Sequence, residues 1–154
     1  MAAVAITGYQ NSGKTTLMER LVATLTDRGT VATVKSIHHD VEVDTPGKDT
    51  YRHRAAGADA VVGLTPSLSF QVRVEGTDDD RDPDDSLDRG LDLLGDEYDY
   101  VLAEGFKSVD VPKVLVGDIE ESAVRGRILA RVCDPETADL DVILTAIDEL
   151  LNAQ

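Results

Sequence analysis

At 154 residues with 42% apolar side chains, the chain is long enough for one compact domain, expected to span 1–154. A net charge of −15, from 21 Asp and 9 Glu against 10 Arg and 5 Lys, sets the overall field against phosphate, which excludes nucleic acid and anionic membranes as general partners. No apolar run approaches the roughly 18 residues of a membrane span, no basic-then-apolar leader opens the chain, and the lone Cys133 forms no internal disulfide, so a cytoplasmic protein is expected.

Residues 2–7 form a short apolar run ended by Gly8, as in a buried parallel strand. Leu17, Met18, Leu21, Val22 and Leu25 then recur on one helical face, with Gly29 as the stop. A second strand is expected at 31–37. Thr45-Pro46-Gly47 reads as a cap and first-turn proline opening a helix over about 46–56, closed by Gly57. Strands follow at 58–65 and 67–76, the second at an edge, with a hairpin as one pairing. Residues 77–85 read as a solvated acidic loop leading into a helix marked by Leu87, Leu91 and Leu94 and ended by Gly95. Strands at 98–105, 112–118 and 126–134 precede a final amphipathic helix carrying Val142, Ile143, Ala146, Ile147, Leu150 and Leu151. This alternation predicts a three-layer α/β/α domain with a mainly parallel sheet. The excess of Asp over Glu and Arg over Lys reads as adaptation to molar salt, where charges are screened within about 3 Å; an acidic mesophile surface is the other reading.

Gly8-Tyr9-Gln10-Asn11-Ser12-Gly13-Lys14-Thr15 matches G-x-x-x-x-G-K-[ST] in full, between a predicted strand and a predicted helix. In such a loop the backbone N–H groups converge on phosphate oxygens, the lysine reaches the β- and γ-phosphates, and the Thr15 hydroxyl meets Mg²⁺. P-loop proteins hold that cation through a second acid at a strand end, and Glu104, followed by Gly105, stands in that position; Asp99 opens the same strand at its other end. Lys35-Ser36-Ile37-His38-His39-Asp40 ends the second strand on the edge where parallel sheets bind ligands, so Asp40 is a candidate for contacting Mg²⁺ or positioning water. Adjacent His38 and His39 point apart on an extended segment, which disfavours a transition-metal pair. Lys48 and Arg52 lie four apart on one helical face, a second anion site unless Asp44 and Asp49 neutralise them.

GYQNSGKTTL, VKSIHHD, DTPGKDTYRHRAAGA and VLAEGFK with Pro112-Lys113 occur in the order, over roughly residues 3–118, of the molybdopterin-guanine dinucleotide biosynthesis protein B family, which the chain resembles. The P-loop is generic; the second and third motifs are the specific ones. The resemblance implies a homodimer with a P-loop fold that binds GTP and Mg²⁺, hydrolyses GTP slowly, and assists a separate nucleotidyltransferase and molybdopterin-bearing proteins in attaching a guanine nucleotide to molybdopterin. It assigns Gly8, Asn11, Ser12, Gly13, Lys14, Thr15 and Thr16 to the triphosphate site. Lys48, Asp49 and Arg52 join that site through the intervening motif, and Lys14, Asp40 and Glu104 carry the chemistry, with Thr15, Asp40 and Glu104 on the cation. The Asp-rich surface departs from typical members, as a haloarchaeal protein's would. Guanine-reading N/T-K-x-D is missing: Lys107-Ser108-Val109-Asp110 has only K-x-D, directly after the Glu104 strand, which leaves Asp134 as the positional candidate for the base edge. A P-loop small-molecule kinase, with Asp40 as base and Lys48 and Arg52 clamping the acceptor, is the alternative.

Overall fold

A computed structural model describes residues 3–74 and 83–153, with the side chains of 83–85 left aside. Where the sequence reads as one domain, the contacts divide the chain into two compact units, 1–36 with 81–154, and 37–80. Much of the expected acidic loop (77–82) lies outside the described residues, and its last three residues already belong to a helix.

The first unit is built on a five-stranded sheet, order β2-β5-β1-β6-β7, with β1 Ala3–Gly8, β2 Val31–Lys35, β5 Tyr100–Glu104, β6 Lys113–Val116 and β7 Ile128–Val132. All its neighbours pair in parallel, so both faces need cover. Period-two alternation supplies it. Val4 and Ile6 of β1 face the cluster made by Leu17, Leu21 and Leu25 of α1 (Lys14–Leu25) and Ile143, Leu144 and Ile147 of α4 (Leu140–Asn152). Ala3 and Ala5 face the opposite way, Ala5 packing with Leu87 of α3 (Pro83–Leu94) and with Phe106 and Val109. The result is the expected α/β/α layering. The register of α4 differs in detail: Val142 is 61% exposed and Leu144, absent from the expected face, is buried.

In the second unit, β3 (Ala60–Leu64) and β4 (Ser69–Arg73) pair as an antiparallel hairpin, and α2 spans Asp49–Ala55. The predicted start at Thr45-Pro46-Gly47 is corrected: Lys48 is the N-cap, because Gly47 at φ +84° has a left-handed conformation that cannot begin a right-handed helix. No helix among the described residues is long and apolar enough to cross a membrane.

Candidate functional site

β1 delivers the chain into the loop from Gly8 to Gly13, which ends in the left-handed conformation at Gly13 and passes straight into α1. No side chain caps that helix, so the N–H groups of its first turn stay open to a ligand. Glycine is obligatory here. A Cβ on Gly8 would collide with Ser12 Oγ and the Val116 carbonyl, and one on Gly13 would lie 2.6 Å from the Pro135 ring. Ser12 Oγ is buried with no hydrogen-bond partner. A buried hydroxyl left unpaired is costly, and a phosphate oxygen in the loop would pair it. Lys14 Nζ donates to the Tyr9 carbonyl at 2.7 Å, within its own loop.

The end of β5 meets this loop. Glu104 accepts a hydrogen bond from the Thr15 hydroxyl on Oε1 at 3.1 Å, and the same oxygen receives the Lys35 ammonium at 2.6 Å. Lys35 ends β2 and is the register partner of Glu104. Partial burial pushes the Lys14 ammonium below the ordinary lysine range; Glu104 pulls the other way, and Lys35 adds to the push. Two ammonium groups, one carboxylate, a threonine hydroxyl and an uncapped helix end therefore share one strand edge. That donor set fits a nucleotide phosphate chain with Mg²⁺ on Thr15 and Glu104. Among the described residues no three His, Cys, Asp or Glu side chains gather into a metal cluster, so such a cation would draw its remaining oxygens from phosphate and water.

Further residues hold this edge in place, and several escaped the sequence reading. The Thr7 hydroxyl donates to the Gly105 carbonyl at 2.7 Å, fixing the turn after Glu104. Lys113 is fully buried and donates to the carbonyls of Phe106 and Val109, both at 2.8 Å, where Phe106 has φ +54°. Beyond β7, Asp134 accepts from Glu136 N–H and the Thr137 hydroxyl, which hold its carboxyl below the usual range, the hydroxyl most of all. Both carboxylate oxygens thus organise the turn that sets Pro135 against Gly13. Arg20 of α1 clamps that turn through the Pro135 and Ala138 carbonyls at 2.5 and 3.0 Å. Lys35 was legible only as an opposite charge at the end of a strand next to that of Glu104, a signal that requires the strand order.

Asp40, Lys48, Asp49 and Arg52 belong to the second unit and are all exposed there. His38 and His39 sit in a bend rather than an extended segment. Asp44 accepts from the Thr50 hydroxyl and the Thr45 N–H, and among the described residues no ion pair links Lys48 or Arg52 to Asp44 or Asp49. Arg54 pairs with Glu42 and lies 5.4 Å from the Tyr51 ring centroid.

The family model for molybdopterin guanine dinucleotide synthesis protein B matches residues 3–134. A Haemophilus influenzae protein called molybdopterin-guanine dinucleotide biosynthesis adapter protein is 36% identical over 119 residues, covering 73% of this chain and 61% of its own length. The Escherichia coli protein of the same description is 30% identical over 153 residues, 96% of this chain and 86% of that one. A solved structure of molybdopterin-guanine biosynthesis protein B superposes with a TM-score of 0.69 at 29% identity, over 97% of this chain and 99% of that one.

Proposed function

The chain belongs to the molybdopterin guanine dinucleotide synthesis protein B family, and we propose that it binds GTP with Mg²⁺ at Gly8–Thr16 and acts as an adapter in attaching a guanine nucleotide to molybdopterin. The observation that carries the nucleotide site is the Thr15–Glu104 hydrogen bond at 3.1 Å, which brings the hydroxyl and the acid that a P-loop needs for its cation to one point. Thr15 and Glu104 would hold Mg²⁺, which when bound neutralises charge on the terminal phosphates. Ser12 Oγ, the N–H groups from Asn11 to Thr16 and Lys14 would hold the phosphates themselves. The guanine preference and the adapter role rest on the relatives' names. Within the second unit, Asp40, Lys48, Asp49 and Arg52 take the intervening-motif role that the family resemblance gives them, Lys48 and Arg52 toward an anionic ligand.

A nucleotidyltransferase and a second copy of the chain complete the proposal, at work in the cytoplasm. Support for the second copy comes from the hairpin: Val62, Leu64 and Phe70 on its two strands and Leu68 in the turn between them are exposed, on a sheet thinner than usually stands alone. Slow hydrolysis is part of the same reading.

The test is calorimetric titration of GTP and ATP with Mg²⁺ in molar KCl, against wild type and Lys14→Met. GTP is expected to bind selectively, and losing one charge-assisted phosphate contact weakens it by about 10- to 100-fold. Because Lys14 is partly desolvated, the variant should melt no lower than wild type without nucleotide. Equal ATP binding with phosphoryl transfer to a small acceptor would replace this proposal by a kinase.

A further inference from the structure

Glu104 is asked to do two things. In the structure its Oε1 is held by Lys35 at 2.6 Å and by the Thr15 hydroxyl at 3.1 Å; in the reading above the same carboxylate faces the divalent cation. The two sides of the ion pair are unequally placed. The Glu104 side chain is 11% exposed, whereas that of Lys35 is 53% exposed. The carboxylate is therefore the fixed element and the ammonium the one free to swing on its four-carbon stem. Its field already reaches Lys14, so two cations crowd one carboxylate in a chain of net charge −15. The repulsion between the two ammonium groups is relieved when an anion in the loop takes up the surplus one.

We propose that Lys35 is a built-in competitor for the divalent cation: it occupies Glu104 in the nucleotide-free protein, yields that oxygen when cation and triphosphate load together, and transfers its ammonium to the terminal phosphate. This rests on the nucleotide reading of the site. With a diphosphate the third phosphate that would receive the ammonium is missing, so Lys35 returns to Glu104 and displaces the cation. Cation affinity thereby reports whether the nucleotide carries its third phosphate. By linkage, the cation tightens the triphosphate by the same factor.

The experiment measures Mn²⁺ binding by electron paramagnetic resonance for wild type, Lys35→Met, Lys35→Arg and Glu104→Gln, each with Mn²⁺ alone, with GDP, and with a non-hydrolysable GTP analogue. In wild type, Mn²⁺ should bind at least about fivefold more weakly with GDP than with the triphosphate analogue, and Lys35→Met should close most of that gap by tightening the GDP complex. Lys35→Arg keeps a cation on Glu104 and should behave as wild type, and Glu104→Gln should lose Mn²⁺ in every state. Unchanged or weaker Mn²⁺ binding by Lys35→Met with GDP overturns the proposal. If wild type binds no nucleotide, the nucleotide reading fails by itself. The Mn²⁺-alone arm then still decides the competition, since Lys35→Met must bind the bare cation more tightly than wild type does.

Discussion

Asp99 shows how much one exposed side chain can organise. It closes the start of β5 onto the residue before β2: Oδ2 accepts the Thr30 N–H at 2.7 Å and its hydroxyl at 2.8 Å, and the Asp99 N–H donates back to that hydroxyl at 3.0 Å. The Thr30 N–H, followed by the Thr30 hydroxyl, holds the Asp99 carboxyl below the usual aspartate range. A carboxyl depressed in the folded state stabilises the fold above its unfolded value of about 3.9, and the benefit disappears as pH falls through the folded value. Asp99→Asn should therefore lower the melting temperature at pH 6, with the gap to wild type closing as acid titrates the carboxyl below the ordinary aspartate range; a gap that persists unchanged into acid would assign the loss to geometry instead of charge. At this scale the sequence was a good guide to type and a poor one to company. Lys14, Thr15 and Glu104 were legible because a P-loop and a strand-end acid are patterns along the chain. Lys35, Pro135 and Lys113 owe their roles to neighbours 69, 122 and 7 residues away, at Glu104, Gly13 and Phe106, and no spacing rule reports such pairings before the strand order is known.

Among the elements, α1 and α2 begin differently, and two glycines separate the causes. Gly13 and Gly47 share nearly the same left-handed φ, +88° and +84°, but only Gly13 is hemmed in, its hypothetical Cβ 2.6 Å from Pro135 Cγ, while nothing lies within 4 Å of that on Gly47. Gly47→Ala should cost only the backbone strain, about 1–2 kcal/mol. Gly13→Ala adds overpacking against a stiff ring, for a total of about 2–5 kcal/mol. Urea unfolding of the two variants measures the difference, and equal losses would show that the Pro135 turn gives way. Apart from a 3-10 turn at Glu121–Ala123 that the sequence does not announce, helices and strands were read correctly among the described residues because the periods differ cleanly, Val4 and Ile6 against Ala3 and Ala5 in β1, Leu17, Leu21 and Leu25 in α1. Boundaries were not. A Thr-Pro-Gly triplet can cap a helix or form the turn before one, and the turn wins here, with the Lys48 N–H donating to the Thr45 carbonyl at 3.1 Å. In α4 both Val142 and Leu144 suit an apolar face, and it is Leu144 that joins the buried cluster shared with α1 and the sheet while Val142 stays outside it.

For the molecule as a whole, charge outweighs any single contact. An excess of 15 negative charges on 16.6 kDa is opposed by ion pairs such as Arg28–Asp148, whose side chains are both over a third exposed and which contributes little in water. Self-repulsion falls as the screening length drops from about 10 Å at 0.1 M salt to about 3 Å at 1 M. Raising KCl from 0.1 to 2 M should therefore gain on the order of 1–2 kcal/mol, a rise of about 2–8 °C in melting temperature for a chain of this size. Scanning calorimetry against a sucrose control checks it, and a flat response to KCl would favour the mesophile reading of the composition. Total charge, unlike strand order, is wholly legible from the sequence.

Strand order also dictates timing on the ribosome. β1 is made before the other strands of its sheet and ends in the middle of that sheet, its partners being β5 and β6, with Ala3 registered on Val101 and Gly8 on Val116. β2 waits for β5 as well. The hairpin of β3 and β4, by contrast, closes across residues 65–68 as soon as it emerges. Over the roughly one hundred residues of synthesis that separate β1 from β5, some 5–20 s at cellular elongation rates, the apolar strand that carries the P-loop has no partner strand and remains a target for chaperones or for other nascent chains. Such long-range pairing also slows folding. The P-loop is thus made long before the strands that complete its surroundings, and the newest copies are the ones most exposed to loss.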